Sequence, residues 1–286
     1  MRGAKPQREL ELRFARECAL RAGEAVVVAA SGGPDSTALA ALAARACEHA
    51  GATLVLAHVN HALRSSAWQD EAVVLAVGAA LRVRTIAVSL APGPSAEARL
   101  RDERYTALVT VARTLSATRI FSGHHAEDQT ETVLLALFRG AGPSGLSGMP
   151  RRRQLAPDVA LERPLLDVEP LELRTYCAAQ HLPFALDPTN DDPQYRRNAV
   201  RAALPGLRAA FPHLDAAVAR CATILREERA GVPRARLRER LREELAAATG
   251  DARDVSFERL DAAARAIERG APGRHFLRHG VEMVVE

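Results

Sequence analysis

The stretch Ser31-Gly32-Gly33-Pro34-Asp35-Ser36 sets two glycines, two hydroxyls and a carboxylate between a short apolar run, residues 25–30, and a helix-forming run that starts near Thr37. A strand, a tight turn and a helix N-terminus in that order point several backbone N–H groups, backed by the positive end of a helix dipole, at one anion. Gly32 and Gly33 let the backbone come close to that anion, and phosphate is the guest such a turn suits. The spacing is not that of a Walker A loop, whose second glycine is followed by lysine; no lysine follows here. The bland alternative is an ordinary glycine turn of an α/β protein.

Three further groups of polar residues are more than packing requires. His58-Val59-Asn60-His61 closes a second apolar run with two histidines and an asparagine. Arg101 and Arg104 lie one turn apart with Tyr105 beside them, either a clamp for phosphate oxygens or a surface face ion-paired with Glu97, Asp102 and Glu103. In Gly123-His124-His125-Ala126-Glu127-Asp128-Gln129-Thr130-Glu131, the residues His124, Asp128 and Glu131 stand at i, i+4 and i+7 and share a face if a helix begins there. Val133, Leu134 and Leu137 are then expected to face the core. Two readings of this segment stand. An oxygen-rich set beside a phosphate turn suits Mg²⁺ bridging phosphates, whereas carboxylates alone also stabilise a helix N-terminus and leave the histidines unused. Zinc is disfavoured because no thiolate joins the set.

These groups need a scaffold, and the periodicity supplies one. Strands are predicted at residues 25–30, 53–59, 84–90 and 118–122, and helices at 37–49, 66–81, 95–115 and 126–138, with Ser66 and Gln69 as a capping box. That alternation predicts an α/β fold, a parallel sheet with helices on both faces, whose ligands gather at the C-terminal strand ends. Gly140 is a helix stop, residues 139–150 read as a flexible glycine loop, and a small α/β element runs on to 188. From 194 the pattern is nearly all helix, divided at Pro205, Pro212 and Pro233, with a strand at 281–286. A boundary near Leu204 gives a catalytic region 1–204 and a smaller, mainly helical region 205–286.

Composition sets the class. The 286 residues are 48% hydrophobic and 26% charged, which supports a sizeable core without staples. The apolar runs are far too short to span a membrane, so no membrane partner is expected and the cytoplasm is the expected compartment. Cys18, Cys47, Cys177 and Cys221 form no C-x-x-C pair and read as buried free thiols, against a disulfide framework, zinc ribbon or cluster. The net charge of +4 is mild, but arginines gather at Arg151-Arg152-Arg153, at Arg196, Arg197 and Arg201, and from Arg234 to Arg242. The last group is also laced with Glu239, Glu243 and Glu244 at ion-pair spacing, as a solvated helix would be. Lys5 is the only lysine, so an amine nucleophile would have to arrive with a substrate.

The string SGGPDS resembles the signature of ATP pyrophosphatases. Taken with HVNHALR, LRDERY, GHHAEDQTET, FRGAGPSGLSGM, RPLL at residues 163–166, DPTNDD and RRNAVR, in that order, the first two-thirds of the chain resembles the tRNA(Ile)-lysidine synthetase family of the PP-loop superfamily. The resemblance implies an adenine nucleotide alpha hydrolase-like fold and ATP-dependent attachment of free L-lysine to the wobble cytidine of tRNA(Ile) with a CAU anticodon. It implies ATP and Mg²⁺ as cofactors, with Ser31, Gly32, Gly33, Pro34, Asp35, Ser36 and His58 at the nucleotide. Asp35, Arg101, His124, Asp128 and Glu131 would be catalytic, and Asp35, Asp128 and Glu131 would hold the metal. The family commonly has two aspartates where Glu127-Asp128 stands and an alanine where Leu100 stands. Other outcomes are a tRNA-thiolating enzyme, which needs cysteines; an amidating synthetase of the kind making NAD or GMP; and a nucleotide-binding module without chemistry. A homo-oligomer is left open.

Overall fold

The computed structural model describes residues 4–60, 67–91, 97–185, 196–249, 255–278 and 281–285. The chain divides into two compact units, one of Met1–Glu131 with Met149–Ala202 and one of Thr132–Gly148 with Ala203–Glu286.

The first unit is built on β1 (Ala25–Ala29), β2 (Thr53–Asn60), β3 (Arg84–Ser89), β4 (Arg119–Ser122), β5 (Arg152–Ala156) and β6 (Val159–Glu162), in the order β3-β2-β1-β4-β6-β5. All neighbours run parallel except β5, which folds back antiparallel on β6. Both faces of the central strands are apolar, as a doubly covered parallel sheet requires. Val26 and Val28 of β1, Leu54 and Leu56 of β2 and Phe121 of β4 point into one core, shared with α1 (Ala4–Cys18), α2 (Pro34–Ala50), α3 (Ala67–Leu81) and α7 (Pro170–Ala179). The alternate residues Val27, Ala57 and Ile120 meet Leu108, Val111 and Ala112 of α4 (Glu97–Thr114) on the other face.

The predicted strands and helices up to α5 (Ala126–Phe138) fall within a few residues of the observed ones. The small α/β element expected up to 188 is formed by β5, β6 and α7, and its two strands extend the main sheet. The proposed cap residue Ser66, together with His61 to Arg64, lies outside the described residues.

In the second unit, Leu134 of α5 is buried, but Leu137 is 53% exposed and does not enter the core as expected. Gly140 adopts φ +68° and stops α5, and the glycine loop after it holds one short helix, α6 (Pro143–Leu146). Pro205 does not break the chain: it sits inside α8 (Arg196–Ala210), which runs on through it. Beyond lie α9 (Leu214–Arg229), α10 (Pro233–Thr249), α11 (Phe257–Arg269) and a hairpin of β7 (Gly273–Arg278) and β8 (Val281–Val285). Their core is Leu241, Leu245, Val255, Leu260, Ala263, Ala264 and Leu277. Much of the arginine here is internal glue: Arg238 is buried on Asp261 and Glu227, and Arg234 pairs with Glu268. No described helix is long and apolar enough to cross a membrane.

Candidate active site

The glycine turn leaves the C-terminal end of β1, between β2 and β4, where the strand order reverses direction; open α/β sheets bind ligands at such a point. Gly32 takes φ +90°, which strains any residue with a Cβ, and a Cβ there would also stand 3.1 Å from the Asp70 carbonyl oxygen. Gly33 caps α2 in an extended conformation without a side-chain bond, and Pro34 fills the first helical position. The amides of Asp35 and Ser36 therefore have no acceptor within the helix. The turn is held from inside: Ser36 Oγ accepts from the Ser31 amide at 3.2 Å and donates to the Gly33 carbonyl at 3.0 Å. From outside, Ala185 N–H donates to the Gly32 carbonyl at 2.9 Å and Cys177 Sγ to that of Pro34 at 3.3 Å.

His58 on β2 is buried with Nδ1 2.9 Å from the Ala30 carbonyl. A carbonyl only accepts, so Nδ1 carries the proton and the ring braces the chain just before the turn. On the other side Gly123 follows β4 so closely that a Cβ would lie 3.1 Å from the Ser36 nitrogen and 3.2 Å from the Asp35 carbonyl. That contact brings the histidine segment against the turn.

His124 therefore precedes α5 and does not share its face. Its Nδ1 lies 3.0 Å from Ser122 Oγ. Burial, reinforced by the charges of Arg163, Arg197 and Arg101 against the opposing Asp128, lowers its pKa to about 4, so the ring is neutral at ordinary pH. The neighbouring His125, to which the sequence assigns no role, has its Nε2 3.5 Å from Asp35 and 3.6 Å from Asp128, joining turn and helix. Burial lowers its pKa, but the Asp35 hydrogen bond and the charges of Asp128, Asp35 and Glu127 outweigh it and raise the pKa overall.

Asp128 accepts from the His125 amide at 3.0 Å, the reach-back of a capping carboxylate. It also accepts from Arg197 Nη2 at 2.9 Å. Burial raises its pKa, and His125, Arg197 and His124 more than reverse that. The helix-stabilising reading of the acidic segment is thus met in Asp128.

Glu131 departs from expectation. It is 0% exposed, with one carboxylate oxygen on Arg197 Nε and the other 2.7 Å from Arg201 Nε. Each carboxylate oxygen is spent on a guanidinium, so in this structure Glu131 is a strut between α5 and α8. Arg197 and Arg201 stood one helical turn apart in RRNAVR, which was the available signal.

Among the described residues no group of three histidines, cysteines or acids is placed to hold a metal. Asp35 and Asp128 remain, and Asp35 Oδ1 is buried without a partner. A hard oxygen left orphaned beside an anion-binding turn fits Mg²⁺, which keeps much of its shell for water and phosphate. Arg101 is exposed on α4, with its guanidinium 5.7 Å from the Tyr105 ring centre. Cys18, Cys47 and Cys177 are buried, and burial pushes the thiols of Cys47 and Cys177 up to about 11 and 12, whereas Cys221, expected to be buried as well, is exposed.

An anion-binding turn at the switch point of a mostly parallel sheet, with carboxylates behind it, defines a nucleotide-using α/β protein, and residues 6–207 match the PP-loop domain family. The chain belongs to that family. Its relatives include the tRNA(Ile)-lysidine synthases of Ralstonia nicotianae, 43% identical over 208 residues that cover 71% of this chain and 45% of that one, and of Salinispora tropica, 45% identical over 207 residues that cover 70% and 62%. The chain thus spans roughly half to two-thirds of the length of these relatives. The U34-tRNA thiolase NcsA from Methanococcus maripaludis, solved with its [4Fe-4S] cluster, is similar in fold at a TM-score of 0.64 and 15% identity, over 75% of this chain and 76% of that one.

Proposed function

We propose that the chain ligates L-lysine to the wobble cytidine of tRNA(Ile) with a CAU anticodon, using ATP and passing through an adenylated tRNA. The observation that supports this most directly is the junction of the glycine turn with Asp35, His125 and Asp128, in a chain whose curated relatives are lysidine synthases. The cytosine C2 oxygen attacks the α-phosphorus of ATP and the bond to the β-phosphate breaks. The lysine ε-amine then forms the new bond at C2, and AMP leaves with the former carbonyl oxygen.

The residues divide this work. Amides and hydroxyls of residues 31–36 receive the pyrophosphate, and Arg101 faces the charge at the α-phosphate. Asp35 and Asp128 would hold Mg²⁺, which when bound neutralises phosphate charge. The incoming ammonium must lose a proton to a carboxylate or histidine of the site before it attacks. Region 1–204 is the catalytic part in this reading and 205–286 contacts tRNA, in the cytoplasm. Thiolation is disfavoured, because three of the four cysteines are buried and no two stand at C-x-x-C spacing.

The test incubates the chain with ATP and transcript tRNA(Ile), with and without lysine, and follows pyrophosphate release and tRNA mass. Adenylated tRNA should accumulate without lysine. Asp35→Ala should slow pyrophosphate release by about 10²-fold or more. Modified tRNA formed without lysine, or near-normal release by Asp35→Ala, overturns the proposal.

A further inference from the structure

Among the described residues two arginines are buried, and Arg238 is matched by Glu227 and Asp261, as half-buried Arg119 is by Glu24 and Glu162. Arg163 differs. It is 2% exposed, gives Nη1 to the Pro150 carbonyl at 2.7 Å, pairs with no described carboxylate, and leaves Nε buried without a partner. Burial lowers its pKa, Tyr105 opposes this, and the nearby charges of Arg101 and Arg153 add to the fall. Over the Tyr105 ring lie two more guanidinium groups, those of Arg101 at 5.7 Å and Arg153 at 5.8 Å, and neither is ion-paired to a described carboxylate.

The triple arginine of the sequence is thus divided in its work. Arg151 is taken by Glu17 and Asp167, and Arg152 lies 3.6 Å from Glu162, while Arg153 turns to Tyr105. Arg163 follows directly on β6, which lies parallel to β4, so the cluster opens at the sheet end that carries His124. Three cations around one aromatic ring, one of them buried with an unmatched donor, make an anion site with a flat face beside it. The triphosphate already has the glycine turn. A strand of RNA offers what is left to bind, a phosphodiester and the base attached to it.

We propose that Arg153, Tyr105 and Arg163, adjoining Arg101, form a phosphodiester subsite that holds the RNA backbone beside the nucleotide being modified; this rests on the tRNA reading above. Arg163 acts from beneath as a positioning residue, and Arg153 makes the contact.

The experiment measures tRNA(Ile) binding to the whole chain across a salt series, and ATP binding without RNA. Arg153→Gln should flatten the slope of log affinity against log salt by about 0.7 to 0.9, the value of one lost phosphate contact, and leave ATP binding as it was. Arg153→Lys should keep the slope, because it keeps the charge. Arg152→Gln, on the same edge strand but spent on Glu162, should match the wild type. An unchanged slope in Arg153→Gln, or a loss confined to ATP binding, overturns the subsite while leaving the lysidine reading intact. Failure of the wild type to bind tRNA(Ile) overturns both.

Discussion

Replacing Glu131 by Gln separates a structural carboxylate from a metal ligand. The wild-type group is fully buried and neutralises Arg197 and Arg201, whose side chains are 39% and 34% exposed. Removing one partner of a wholly buried pair costs about 3–5 kcal/mol, because the remaining charge is stranded. Here both guanidinium groups reach water and Arg197 keeps Asp128, and the glutamine oxygen still accepts one bond, so the cost falls to about 2–3 kcal/mol. For a unit of this size that corresponds to a fall in Tm of roughly 5–10 °C. Urea and thermal unfolding of both proteins read the effect, with the Mg²⁺ dependence of pyrophosphate release followed in parallel. Asp128→Asn should raise the Mg²⁺ requirement; Glu131→Gln should not. Unchanged stability of Glu131→Gln together with a raised Mg²⁺ requirement would refute the strut.

Gly123→Ala should loosen ATP binding several-fold at a cost of about 1–2 kcal/mol of stability, since its Cβ would press on backbone atoms of Asp35 and Ser36; equal ATP affinity by titration calorimetry would count against that contact. His124 has its folded pKa lowered to about 4, so between about pH 6.5 and 4 the unfolded chain binds a proton that the folded chain refuses, and stability falls as pH falls through that window. The contribution is on the order of 3 kcal/mol, and His124→Gln should flatten the urea-midpoint profile over that range. His125, whose folded pKa is raised, acts in the opposite sense above its unfolded pKa, so the two histidines separate by pH window.

The sheet was legible where the strands are buried on both faces, because near-continuous apolar runs such as Ala25-Val26-Val27-Val28-Ala29 leave little else for them to be. Strands β5 and β6 were legible only as part of a small α/β element: Arg152-Arg153-Gln154 is an exposed edge with no apolar alternation, and β6 is four residues long. Helix α1 escaped notice for a different reason. Its core stripe of Leu10, Phe14 and Cys18, spaced four apart, stands among so many charges that the segment read as polar. Within the site, the glycine turn, Asp35 and Asp128 were visible as motif. The parts of Glu131, Arg197 and Arg201 were only half legible: the two arginines stand one turn apart in RRNAVR, but which carboxylate they meet depends on how α8 returns to α5. Pro205 shows the same limit: tertiary packing carries α8 through a residue that disfavours helix by about 3 kcal/mol.

Every cation named around the site, Arg101, Arg153, Arg163, Arg197 and Arg201, is a guanidinium, and Lys5 is the one amine-bearing side chain in the whole sequence. Guanidinium groups stay protonated at any ordinary pH and make poor nucleophiles, so they balance phosphate charge without competing for an electrophile. Under the proposed reaction an activated base waits in this pocket for an amine. A pocket lined in this way has no side-chain amine of its own to offer it, and the enzyme is protected from labelling itself with its own intermediate.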